Sequence, residues 1–167
     1  MDKLLREMTW YLNDLLKASG NQYRSIYHNF NQRLNSLEKM HQHDELNFRN
    51  ILIKSVLSNK NTFLHDICSK SFNLIASQKY HEDEELITKK LEEFQKIFNS
   101  LIEKMKKYGI KSSEIKNKDG VNINDYIDSV VENIASSKGL EEDDDIMIDV
   151  MEIMEEFQAA IRDLDES

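Results

Sequence analysis

Proline is absent from all 167 residues, and no glycine lies between Gly20 and Gly109. The two residues that most strongly interrupt helices are therefore missing from the longest uninterrupted part of the chain. An all-β fold needs them at its tight turns and a nucleotide-binding α/β fold needs a glycine-rich loop, so the chain is expected to be all-α. The 32% share of charged residues against 40% hydrophobic suits amphipathic helices with one wet face.

The clearest element is predicted from about Glu82 to Tyr108. Ile87, Leu91, Phe94, Phe98, Leu101, Met105 and Tyr108 recur there at alternating steps of four and three, a heptad seam. Acids crowd its first turn and Lys104, Lys106 and Lys107 its last, as the helix dipole favours. Gly109 stands where a left-handed residue ends a helix, with Ile110 placed to fold back on Met105.

Upstream, Leu5, Met8, Leu12 and Leu15 predict a helix stopping near Ser19-Gly20, and Tyr23, Tyr27, Phe30, Leu34 and Leu37 predict a second. The cluster His41 to Glu45 reads either as a turn or as a wet helical face, with apolar spacing resuming at Leu46, Ile53 and Leu57. A helix over 62–78 is entered through Ser58-Asn59-Lys60-Asn61. Residues 110–121 are poor in apolar positions and end in the turn signal Lys118-Asp119-Gly120, so they read as a linker. Asn122 or Asn124 then caps a short helix closed by Ser136 to Gly139, and a last helix begins within Glu141 to Asp145 and runs to about Leu164.

Charge divides the chain unevenly. Residues 119–167 hold 16 Asp/Glu against 2 Lys/Arg, while residues 1–80 hold 7 against 11. In the last helix Ile146, Val150, Ile153, Phe157, Ala160 and Leu164 form a seam widened by Met147, Met154 and Ile161, and acids cover the other face. The expected fold is a helical bundle or antiparallel coiled coil of about five to six helices with an acidic amphipathic C-terminal helix. Its expected divisions are a body over 1–109, a linker over 110–121 and an acidic helical segment over 122–167.

Candidate chemistry is incomplete at every place where it arises. Glu38 and His41 have the Glu-x-x-His spacing of a di-iron carboxylate site, but that site needs two such motifs. His41 and His43 diverge on a helix and converge on a metal only in an extended turn. His65 and Cys68 share a face at i, i+3, as a metal pair or an activated thiolate would, but amid Leu64, Ile67, Leu74 and Ile75 they read as core or boundary positions. Asn117 to Gly120 has a calcium-loop look, yet Ile115 and Tyr126 stand where Asp and Glu ligands belong. His81-Glu82-x-x-Glu85 lacks a second histidine and reads as an acidic first turn. The run Tyr23 to Arg33 mixes aromatic and basic residues as single-strand binders do, but its aromatics hold core spacing, so direct nucleic-acid binding is not expected.

A lone cysteine rules out an intramolecular disulfide framework. No signal-peptide stretch or membrane-length apolar run is found, and an intracellular location, cytoplasmic or nuclear, is expected. The expected function is a non-catalytic helical interaction or assembly subunit, without enzyme activity, cofactor or metal, that self-associates or binds a protein partner. Its interaction residues are expected in the two seams: Ile87, Leu91, Phe94, Phe98, Leu101 and Met105, then Ile146, Val150, Ile153, Met154, Phe157 and Leu164. The alternative is an acidic inhibitor or chaperone that competes for a basic, nucleic-acid-binding protein.

Overall fold

The computed structural model describes residues 2–19, 22–55, 57–58, 61–77, 80 and 82–167. Among them are seven α-helices: α1 (Asp2–Lys17), α2 (Ile26–Met40), α3 (Glu45–Ser55), α4 (Phe63–Ile75), α5 (Glu84–Lys107), α6 (Ile123–Lys138) and α7 (Asp145–Glu166). The fold is all-α. Besides the helices there are two 3-10 turns, Gln22–Ser25 and Ser112–Glu114, and a two-residue antiparallel pairing of Leu57–Ser58 with Asn61–Thr62. Asn59, Lys60, Gln78, His81 and Gly20, all invoked in the sequence reading, lie outside the described residues. No helix among the described residues is long and apolar enough to cross a membrane.

The helix count exceeds the expected five to six because residues 41–44 of the His41 to Glu45 cluster form a turn and Glu45 opens a separate helix. The Asp44 side chain accepts a hydrogen bond from the Asn47 backbone at 3.0 Å, which satisfies a free donor in the first turn of α3. That break resets the helical phase. Leu46, expected on the apolar side, is exposed, while Phe48 and Leu52 enter the core instead. A similar shift affects α2: Tyr23 falls in the 3-10 turn, so the buried line is Ile26, Phe30, Leu34 and Leu37, with Tyr23 and Tyr27 at the core edge.

The helix ends follow local chemistry. Asp83 caps α5 by accepting from the Leu86 backbone, and Asn122 caps α6 by accepting from that of Asp125. Gly109, at φ +66°, closes α5 in a Schellman motif in which the Ile110 amide reaches the Met105 carbonyl at 2.9 Å. Gly139 repeats the device at the end of α6.

α1 lies along α2, α5 packs on α2, α4 and α7, and α4 touches α6 and α7 as well as α5. One hydrophobic cluster runs through all of these from Met8 to Leu164. Residues 110–121, expected as a linker, contribute Ile110 and Ile115 to that cluster and fold back through a Lys116–Asn122 bridge. Helices of the 122–167 segment pack on α4 and α5. Phe157 of α7 meets Phe72 of α4 edge-on at 5.9 Å and Phe98 of α5 at 4.7 Å.

Candidate interaction surface

The twelve residues expected to form interaction seams are placed toward the chain's own core. Ile87, Leu91, Phe94, Phe98, Leu101 and Met105 are all buried, as are Val150, Phe157 and Leu164. Ile146, Ile153 and Met154 are half-buried against the same cluster. In α7 the inward line runs Met147, Val150, Met154, Phe157, Ile161 and Leu164, with Ile146 and Ile153 on its flank. The wide apolar stripe left two neighbouring registers open, and contact with α4 and α5 selects this one.

With the seam turned inward, the outer face of α7 carries Asp145, Glu152, Glu155, Glu156 and Asp163, all exposed, together with exposed Ile148 and Met151. Two large apolar side chains thus stand on a mostly acidic face, on which Arg162 pairs with Glu155 and Lys106 of α5 reaches Asp163. Beside them a groove of about 390 Å³ runs between α7 and α5, with Tyr80 at one end. Ile75, Leu91 and Ile153 form its apolar part, while Glu84, Glu92, Asp149, Glu152 and Glu156 supply five carboxyl groups. No Lys or Arg is among the described residues that line it. The Tyr80 hydroxyl donates to Asp149 at 2.5 Å and the Gln95 amide to Glu156. Burial and the neighbouring Glu152 raise the Glu156 pKa, so negative charge there is under-compensated. Burial, together with the carboxylates of Asp149 and Glu84, also pushes the Tyr80 phenol up.

A second concavity, about 530 Å³ between α1 and α2, contrasts with this one. There Glu7 is paired with Arg33 at 2.8 Å, and the guanidinium also lies over the Tyr11 ring. Its opposite charges answer each other.

The other sequence candidates take structural places. Glu38 does not join His41 in a shared site. It accepts from Lys104 and Lys107 at 2.7 Å and from the Tyr108 hydroxyl at 2.6 Å, tying α2 to the end of α5. Burial opposes ionisation of Glu38, yet these three donors outweigh it and hold the carboxyl down to about 2. Cys68 is fully buried and burial pushes its thiol up, away from the reactive thiolate. His65 is buried too. Its Nε2 donates to the Val121 carbonyl at 2.9 Å, its Nδ1 pairs with the Thr62 hydroxyl, and Tyr126 lies against the ring. His65 therefore clamps the 117–122 turn onto the start of α4. That turn is organised by Asn117, whose side-chain oxygen accepts from the Asp119 and Val121 backbones. Phe30 of the aromatic-basic run is in the core. Among the described residues, no group of three or more His, Cys, Asp or Glu is placed to hold a metal ion.

Several residues that tie the helices to one another were invisible in the sequence. Lys90 is buried and its ammonium donates to the Leu16 carbonyl at 2.8 Å, near the end of α1. One turn along, Glu93 is buried beside the start of α2. Burial raises its pKa, against the pull of Lys96 and the Tyr27 backbone toward the charged form. Cation at a helix C-terminus and anion at a helix N-terminus is the arrangement the dipoles favour. The signal available was two opposite charges at i, i+3 flanking a heptad seam, which commonly means nothing more than a wet edge. Arg49 likewise binds the Tyr108 carbonyl at the end of α5 and pairs with Glu114 at 2.6 Å.

No protein-family model matches the chain, and neither a curated protein nor a solved structure matches it.

Proposed function

We propose that the chain is a non-catalytic interaction subunit, a helical bundle that offers the acidic outer face of its C-terminal helix to a basic protein partner. One observation carries this reading: both apolar seams are turned into the chain's own core, while acids, Ile148 and Met151 remain on the outside of α7. Assembly through the seams themselves would require α7 to leave Phe72 and Phe98. Recognition through its outer face requires no rearrangement. A face combining dispersed negative charge with a few apolar contacts suits the groove or helix of a basic protein, where charge complementarity sets encounter rate and apolar contacts set residence.

Capture from native lysate with the wild-type chain and with a Glu152→Gln, Glu155→Gln, Glu156→Gln, Asp163→Asn variant tests the reading. The expected result is a set of basic proteins retained by the wild type, released as salt is raised and missing from the variant eluate. Equal capture by both proteins, insensitive to salt, would overturn it.

A further inference from the structure

We propose that the groove between α5 and α7 is the specific recognition element of that surface, and that it receives an arginine or lysine side chain from a helical segment of the partner. This rests on the reading of α7 as the partner-facing helix. The argument is one of fit. Ile153 offers apolar surface above a floor closed by the buried Ile75 and Leu91, and the carboxyl groups of Asp149, Glu152 and Glu156 surround it within the same 390 Å³. A basic side chain has this profile in reverse: an apolar stem that covers aliphatic surface and a charged head that stays at the rim.

Other occupants fit less well. An aliphatic side chain would cover the floor but take water from the carboxylates without replacing it, which is costly. A bare cation would answer the charge and leave the floor unused. Nucleic acid would be repelled. Arginine suits best, because its planar fork can bind carboxylates two at a time and sheds water more readily than an ammonium group. The adjacent exposed Ile148 gives the helix that carries the arginine an apolar contact just outside the groove.

The test uses the full chain with labelled Ile and Leu methyl groups and a synthetic alanine-based helical peptide of about 16 residues bearing arginines at i, i+4. A second peptide carries methionine in their place. Two protein variants, each checked for helicity, are compared: Glu152→Gln with Glu156→Gln in the groove, and Asp128→Asn with Glu132→Gln on the exposed face of α6. The arginine peptide should shift the Ile75, Leu91 and Ile153 methyl signals. Its affinity should fall about tenfold in the groove variant and less than about twofold in the α6 variant.

Binding without movement of the floor methyls, or equal loss in both variants, would overturn the groove while leaving the acidic face as the partner surface. Equal shifts with the methionine peptide would overturn the basic occupant. Absence of binding by the arginine peptide would overturn the groove and the reading beneath it together.

Discussion

His65 shows how one buried side chain joins distant parts of the chain. Its ring links the Thr62 hydroxyl to the Val121 carbonyl, and burial lowers its pKa from the ordinary value of 6.5 despite the favourable Val121 contact. The folded state therefore binds a proton less readily than the unfolded chain. The stabilisation due to neutral His65 is complete above the unfolded value and is lost as pH falls below it. Urea midpoints measured from pH 7.5 down to about 5 should decline in the wild type, with a shallower decline in a His65→Phe variant. That variant should lose roughly 1–3 kcal/mol at neutral pH, since the Thr62 hydroxyl and the Val121 carbonyl each lose the imidazole partner and keep only a backbone one. Glu38 acts at lower pH. Its carboxyl is held at about 2, so its contribution is present above the ordinary value of 4.5 and disappears between the two. Glu38→Gln should flatten the acid limb of the stability profile over that window and weaken the tie between α2 and α5.

At the scale of elements, the parts that were legible in the sequence are those whose signals are local. The seam of α5 and its Gly109 ending depend only on neighbours within a turn or two, and both were readable from spacing, whereas Asp83, read only as one acid of the first turn, is the cap itself. Gly109→Ala should cost about 1 kcal/mol, because φ +66° disfavours a side chain even though nothing crowds a new Cβ. The phases of α3 and α7 were not readable, because each has more apolar positions than one face can bury. Contacts far away in sequence choose among them: Leu46 lost its place to Phe48, and Met147 and Met154 stand on the inward line that Ile146 and Ile153 only flank. The cross-helix contacts of Lys90 and Glu93 were hidden for the same reason. Phe157→Ala tests the α7 register, with an expected loss of about 3–5 kcal/mol by thermal or urea unfolding. A loss below about 1 kcal/mol would mean that the ring does not hold α7 to Phe72 and Phe98.

For the molecule as a whole, the all-α class followed from the scarcity of proline and glycine, but the role of the seams did not follow from their presence. An apolar stripe states that something must cover it, without stating whether that is the same chain or another. Here α4, α5 and α7 cover one another, and what remains outward on α7 is charge with two apolar residues. The functional reading depends on that assignment. Amide hydrogen exchange of the isolated chain at low salt measures it directly, by comparing residues 147–164 with residues 87–105. The account predicts that the inward-facing turns of α7 are protected to within about tenfold of those of α5, since both close the same core. Complete exchange of α7 within seconds while α5 stays protected would contradict it and return Val150, Phe157 and Leu164 to the surface offered to a partner.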